Sequence, residues 1–150
     1  MQKLIRQGIT LSLLLMSIVS GGAQAEQAKD FGDYTVHYMA VNTTFLKPDI
    51  AREYGITRGD RLAFLNIAVM KKQPDGSSKA VSARVSGVKK NLLQQSEGIN
   101  FMEITEGDSI YYIGEFEFSN AEDLNFEIQI QPESSGQSYP LTWSTRLYTD

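Results

Sequence analysis

The sequence predicts an all-β protein, an antiparallel β-sandwich of about seven short strands with one short helix after the first strand. Three observations lead to this prediction. Apolar and polar residues alternate over several short segments, turn residues separate those segments, and no segment has the sustained repeat of a long helix. The same pattern also permits a closed barrel, which is the alternative architecture.

The first predicted strand covers residues 34–41 and places its two tyrosines on one face and His37 on the other. The pattern changes around Pro48. Proline suits the start of a helix and Gly55 suits its end, so residues 47–55 predict a helix of one to two turns that links two strands.

Residues 62–70 are apolar on both faces apart from Asn66, as expected of a central strand that is covered on both sides. The segment runs into Pro74 and Gly76, which favour a turn. Residues 80–86 then alternate again. The sequence therefore predicts a hairpin between these two strands.

The second half of the chain predicts four more strands. Residues 99–104 form a short segment with mixed faces, residues 110–118 and 124–131 alternate regularly, and the last strand covers residues 141–147. A five-residue link, residues 119–123, separates the two regular strands.

This link predicts an antiparallel hairpin in which Phe118 pairs with Leu124, and that register places Glu115 opposite Glu127. Like charges directly across a ladder are destabilising, so such a pair is a candidate site for a cation or a basic partner. The alternative is that water solvates the pair, or that a one-residue bulge breaks the pairing.

Residues 1–25 predict a cleaved signal peptide. Basic residues precede an apolar run at residues 9–19, and the Ala-x-Ala pattern that ends at Ala25 is a typical cleavage site. The run is shorter than the roughly 20 apolar residues that span a bilayer. Cleavage after Ala25 leaves residues 26–150 as a single exported domain, whereas an uncleaved membrane anchor is the alternative.

The composition argues against several classes of function. The 150 residues include 14 basic and 18 acidic side chains, a balance that argues against a nucleic-acid-binding protein. The chain has no cysteine, and therefore no thiolate nucleophile and no cysteine-ligated metal. It has one histidine and no Gly-x-Ser-x-Gly motif, which disfavours a catalytic triad. We therefore predict a protein that is not an enzyme and carries no cofactor.

The loop that follows the predicted helix is a candidate for ligand or partner binding. Arginines beside a tyrosine bind carboxylates and phosphates well, and loops on a rigid scaffold often carry recognition. The candidate residues of this region are Arg52, Tyr54, Arg58 and Arg61. The alternative is that Arg52 or Arg58 forms an internal ion pair with Glu53, Asp49 or Asp60.

Residues 91–95 form the least regular stretch, which combines amide side chains with two adjacent leucines. Asn91 is a candidate residue of a loop that lines a ligand site. The alternative is that Leu92 and Leu93 are buried beneath the loop as a satellite of the core.

The first strand also predicts a soft-metal site. His37 and Met39 project an imidazole and a thioether from the same strand face, and such ligands suit Cu(I) in an exported protein. Met70 and Met102 are further candidate thioethers, although methionine in an apolar strand also fills gaps in a core.

Five short segments carry a resemblance to a known family. They are residues 51–56 (Ala-Arg-Glu-Tyr-Gly-Ile), 65–69 (Leu-Asn-Ile-Ala-Val), 91–95 (Asn-Leu-Leu-Gln-Gln), 104–106 (Ile-Thr-Glu) and 110–113 (Ile-Tyr-Tyr-Ile). In this order they resemble a family of small exported proteobacterial proteins that is classed as a domain of unknown function, number 4426. The resemblance implies a periplasmic single-domain protein with an immunoglobulin-like β-sandwich. It implies no activity, ligand or catalytic residue.

Together these observations predict a non-enzymatic binding or interaction module of the periplasm. A β-sandwich can bind through its loops or add a strand to an exposed sheet edge, which suits an assembly or chaperone-like role. The predicted partner is a periplasmic protein or a small ligand, not nucleic acid, and the mature chain has no predicted membrane span. A periplasmic protein that binds a small ligand or copper is the alternative.

Overall fold

The computed structural model describes residues 26–150, so the predicted signal peptide lies outside the described residues. Most of the described chain is extended and forms ten strands. They are β1 (Gln27–Phe31), β2 (Tyr34–Asn42), β3 (Leu62–Lys72), β4 (Ser78–Ala80), β5 (Ala83–Lys90), β6 (Ser96–Ile99), β7 (Phe101–Glu106), β8 (Ser109–Glu117), β9 (Glu122–Pro132) and β10 (Tyr139–Leu147).

The strands form two antiparallel sheets. The first sheet has the order β1-β2-β3-β8-β7, and the short β4 pairs with β3 beyond the end of β8. The second sheet has the order β10-β9-β5-β6. The predicted all-β sandwich is therefore confirmed, with two separate sheets in place of a closed barrel and with more strands than expected.

The main core lies between the two sheets. The rings of Phe116 and Trp143 lie 5.2 and 4.9 Å from the ring of Phe126, which has no exposed surface. Alternation along β9 places every second residue in this core, as predicted, and the buried residues are Leu124, Phe126, Ile128 and Ile130. Each such side chain contributes about 1.5–3 kcal/mol through burial, so this core holds the two sheets together.

A second, smaller core covers part of the outer face of the first sheet. A short 3-10 turn (Thr43–Phe45) and helix α1 (Pro48–Glu53) connect β2 to β3 and lie over this face. Leu46, Ile50 and Ile56 from this connection are buried there. The central strand β3 is therefore covered on both faces, as its apolar sequence predicts.

Helix α1 begins at Pro48 and ends before Gly55, as predicted. Gly55 has a φ of 69°, a left-handed conformation that glycine adopts without strain. The helix follows the second strand, not the first, because residues 27–31 add strand β1 at the sheet edge. β1 is mostly exposed and lacks alternating apolar residues, so its sequence has no strand pattern. No helix within residues 26–150 is long and apolar enough to cross a membrane.

The described chain crosses between the sheets after β4, after β6 and after β8. The predicted hairpin between β3 and residues 80–86 is therefore only partly correct. Ser78–Ala80 pairs with β3, but from Ala83 onward the chain belongs to the second sheet. The predicted strand 99–104 is divided at Asn100, which separates β6 in one sheet from β7 in the other. The mixed faces of that segment reflect this change of sheet.

The predicted hairpin of β8 and β9 is wrong, and so is the facing pair of Glu115 and Glu127. β8 pairs with β3 and β7, whereas β9 pairs with β5 and β10, so the two glutamates lie in different sheets. Residues 118–121 connect the two sheets instead of turning within one. The physical reason is that Phe118 and Leu124 both point into the core between the sheets.

Candidate functional site

An open cavity of about 280 Å³ lies on the outer face of the first sheet, next to the part that α1 covers. β2 and β3 form its floor, and the turn between β7 and β8 forms one wall. The lining is mostly apolar, with a few polar and sulfur-containing side chains. These include His37, Met39, Asn66, Met70 and Asp108.

The pairing of β2 with β3 explains why these side chains share one face. His37 lies opposite Ala68, and Met39 lies opposite Asn66. Met70 is two residues beyond Ala68 on the same face, so His37 lies between the two methionines along the sheet. Ala68 contributes only a methyl group beside His37, which leaves room for the cavity.

His37 is held by a carboxylate at the edge of the cavity. Its Nδ1 atom lies 2.7 Å from Oε1 of Glu26, and the two side chains are 38% and 44% exposed. This contact orients the imidazole. Sequence reasoning did not identify Glu26, because nothing in residues 26–31 indicates that they pair with β2.

Asn66 is a polar residue in the cavity floor. It is 8% exposed, and its Oδ1 atom has no hydrogen-bond partner among the described residues. A buried oxygen of this kind is uncommon, because its lost hydration costs about 1–3 kcal/mol. Sequence reasoning assigned no role to Asn66, although it is the one polar residue between Leu62 and Met70. Asn66 therefore forms part of the cavity floor, while this oxygen is itself shielded from solvent and has no partner in the described chain.

The cavity lining combines one imidazole and two thioethers with the carboxylates of Glu26 and Asp108. The imidazole and the thioethers suit Cu(I), whereas Ca²⁺ and Mg²⁺ need six or more oxygen ligands. Across residues 26–150, no group of three or more His, Cys, Asp or Glu side chains could hold a metal ion. Met70 joins His37 and Met39 at the cavity, but Met102 lies on β7, three strands from β2, and is 43% exposed. The donor set fits a soft ion and does not include Met102.

The residues of the predicted arginine loop have different surroundings. Arg58 donates from Nη2 to the Thr44 carbonyl at 3.2 Å. Tyr54 is partly buried against the second core, and its hydroxyl has no hydrogen-bond partner in the described chain. The ion pairs found within residues 26–150 do not involve Arg52, Arg58 or Arg61. The alternative of internal ion pairing is therefore wrong for Arg52 and Arg58.

Each of the two predicted glutamates has its own partner. Glu115 accepts a hydrogen bond from the Thr57 amide at 2.9 Å, which fastens the loop after α1 to β8. Glu127 Oε1 lies 2.8 Å from Nζ of Lys90 on the neighbouring strand β5. Both carboxylates are engaged within the fold.

Arg61 and Asn91 line a second cavity, of about 450 Å³, at one end of the sandwich. Lys89 is buried there, where its ammonium donates to the Glu117 carbonyl and lies 3.3 Å from Oε2 of Glu97. The structure therefore brings two of the predicted residues together, in a cavity that carries charges of both signs.

Leu92 and Leu93 are 76% and 79% exposed, so the alternative of burial beneath the loop is wrong. They occupy the turn between β5 and β6. The Oδ1 atom of Asn91 accepts hydrogen bonds from the amides of Leu93 and Gln95, both at 3.0 Å. An ordered turn thus holds two large aliphatic side chains in solvent.

Solved structures with a similar fold include a DUF4426 family protein from Pseudomonas aeruginosa PAO1. It is 29% identical in sequence, with a TM-score of 0.73 over 83% of this chain and 96% of that chain. FetP from uropathogenic Escherichia coli strain F11, expressed in the E. coli periplasm, is 10% identical, with a TM-score of 0.62 over 86% of this chain and 99% of the FetP chain. A copper-bound variant of FetP is 11% identical, with a TM-score of 0.62 over 85% of this chain and 97% of the FetP chain. The likeness to FetP shows the fold alone.

No curated protein matches the sequence. The model of the family described as domain of unknown function 4426 matches residues 28–150, which is nearly the whole described chain. The resemblance carried by the five short segments is therefore confirmed. The chain belongs to the DUF4426 family.

Proposed function

We propose that the protein is a periplasmic binding protein that takes Cu(I) in the cavity on the outer face of the first sheet. The observation that carries the proposal is the position of His37 between Met39 and Met70 in one cavity. An imidazole with thioethers on either side is a soft donor set. Export through the predicted signal peptide, with cleavage after Ala25, is part of the proposal.

The surroundings of these side chains support the binding of a small soft ion. Met39 is 3% exposed and packs in the second core, so its thioether is held by its neighbours. His37 is more exposed, which gives an ion access from solvent. The lining around these donors is mostly apolar, and the polarity around a bound ion affects its redox potential.

The comparison with FetP supports the proposal at the level of the fold. A FetP variant with a similar fold has been solved with copper bound. FetP and this chain are only 11% identical in sequence, so the proposed ligands follow from the positions of His37, Met39 and Met70 in this chain alone.

The proposal is tested by titrating the purified protein with Cu(I) in competition with a coloured Cu(I) chelator. We expect one equivalent to bind, with loss of binding in His37→Ala and at least tenfold weaker binding in Met39→Leu and Met70→Leu. Leucine nearly conserves the volume of methionine, so weaker binding reports the lost sulfur atom and not a packing defect.

The matched control for these variants is Met102→Leu, which removes a thioether outside the cavity and is expected to bind Cu(I) like the wild type. Unchanged Cu(I) affinity in both His37→Ala and Met39→Leu overturns the proposal.

A second candidate function is a protein-interaction module, which the exposure of Leu92 and Leu93 favours. Apolar side chains on an ordered turn insert into a partner's pocket with little loss of backbone entropy. The partner would be a periplasmic protein in an assembly or chaperone-like complex.

Site-specific cross-linking in cells tests this second candidate. A photoreactive residue at Gln94 is expected to capture one defined protein, and the double variant Leu92→Ser, Leu93→Ser is expected to lose that product. Met102→Ser, which removes another exposed apolar side chain, is expected to retain it. Equal capture by the double variant and the wild type excludes the turn as the contact.

A further inference from the structure

We infer that Glu26 is a positioning residue for His37, because its carboxylate holds the ring hydrogen on Nδ1 and leaves Nε2 as the nitrogen that binds a metal ion. The inference rests on the proposed Cu(I) function. Glu26 acts through His37 and does not itself contact the ion.

The contact between Glu26 and His37 is short and involves one ring nitrogen. Nδ1 and Oε1 are 2.7 Å apart, a distance typical of a charge-assisted hydrogen bond. An ionised carboxylate only accepts hydrogen bonds, so Nδ1 carries the hydrogen. In the neutral ring the lone pair is then on Nε2.

Strand β1 brings Glu26 to the cavity. In the ladder between β1 and β2, Gln27 lies opposite Tyr38 and Ala28 lies opposite His37. Glu26 is two residues before Ala28, so both project from the same side of the sheet as His37. Because Ala28 has only a methyl group, the longer Glu26 side chain reaches the imidazole diagonally across the ladder.

A carboxylate in this position has a known effect on metal binding. Histidines that bind metals in proteins usually donate their second ring N–H to a carboxylate or a carbonyl, which fixes both the tautomer and the ring orientation. Loss of that partner typically weakens metal binding 10- to 100-fold.

Asp30, the next carboxylate on this face of β1, has different partners. It accepts a hydrogen bond from Thr35 Oγ1 at 2.6 Å and lies 3.4 Å from Nζ of Lys72. The hydrogen bond from Thr35 and the charge of Lys72 lower the pKa of Asp30. Asp30→Asn is therefore a matched control, since it removes the same charge from the same strand face without touching His37 Nδ1.

The first arm of the test measures the tautomer of His37 by ¹⁵N NMR in metal-free protein, at a pH where the ring is neutral. The chain has one histidine, so the signals need no assignment. We expect Nδ1–H in the wild type, in Asp30→Asn and in Glu26→Gln, whose amide oxygen still accepts the hydrogen bond. Glu26→Ala is expected to shift towards Nε2–H. Retention of Nδ1–H in Glu26→Ala overturns the inference.

The second arm measures Cu(I) affinity by the same chelator competition. Glu26→Ala is expected to bind 10- to 100-fold more weakly, with Glu26→Gln and Asp30→Asn close to the wild type. Unchanged affinity in Glu26→Ala also overturns the inference, even with a changed tautomer. The two proposals fail in different ways. Wild-type Cu(I) affinity in both His37→Ala and Met39→Leu overturns the proposed function. Weaker Cu(I) binding in His37→Ala, together with wild-type affinity in Glu26→Ala, overturns only the inference about Glu26.

Discussion

Replacement of Tyr112 by phenylalanine is expected to lower the free energy of unfolding by about 1–3 kcal/mol. The Tyr112 hydroxyl accepts a hydrogen bond from the Ala83 amide at 2.7 Å and donates one to Oε2 of Glu103 at 2.8 Å. The first bond joins the two sheets where the chain enters β5. Burial raises the pKa of Tyr112 to about 12, so the hydroxyl stays protonated at neutral pH. Without the hydroxyl, the Ala83 amide is buried without an acceptor.

Chemical denaturation measures the loss, and hydrogen exchange at the Ala83 amide is expected to become faster in the variant. The matched control is Tyr34→Phe, another buried tyrosine of this core, whose hydroxyl lies 2.7 Å from Oγ of Ser134. Ser134 is exposed and can bond to water instead, so a loss below about 1 kcal/mol is expected. Equal losses in the two variants would contradict the role given to the Ala83 amide.

Gly114→Ala is expected to destabilise the protein by about 1–3 kcal/mol through overpacking. A methyl group at Gly114 would lie 2.5 Å from Cγ2 of Ile99 and 2.8 Å from the ring of Phe101. Ile99 and Phe101 flank the crossing at Asn100, so the chain passes from one sheet to the other directly against Gly114. Ile99 is 5% exposed and branched at Cβ, and therefore has little freedom to move aside.

The matched control is Gly98→Ala in β6. A methyl group at Gly98 meets no atom within 4 Å, and its φ is not left-handed. Alanine there restricts the unfolded chain and is expected to stabilise the protein by up to about 1 kcal/mol. Denaturation curves of the two variants should therefore shift in opposite directions, and a shared direction would contradict the overpacking argument.

Alternation along the chain predicts where most strands lie and which face of each is buried, because that pattern is local. β9 shows this, since its inward residues were predicted correctly. The pattern does not indicate which sheet a strand joins. The alternation around Phe118 and Leu124 is compatible with two arrangements. The two residues could pair within a hairpin, or they could enter the core from opposite sheets, as the structure shows. The misplaced pair of Glu115 and Glu127 followed from this ambiguity.

The candidate site could be predicted only in part, for the same physical reason. His37 and Met39 share a face through the two-residue period of a strand, which the sequence shows directly. The position of Met70 depends on the register between β2 and β3, which is a contact between distant residues. Glu26 depends on β1, whose exposed sequence has no strand pattern. The depth of the cavity depends on where α1 stops covering the sheet.

The strand order has a consequence for how the chain folds. β3 pairs with β8 and β5 pairs with β9, and the paired residues are 35 to 55 positions apart in the sequence. Closing such loops costs entropy before any contact forms. Domains dominated by such distant pairings fold in milliseconds to seconds. In a nascent chain that ends after β7, strands β8 and β9 are not yet made. One edge of β3 and one edge of β5 therefore still lack the strands that pair with them. Neither sheet, nor the cavity wall between β7 and β8, can be completed until the last third of the chain has emerged.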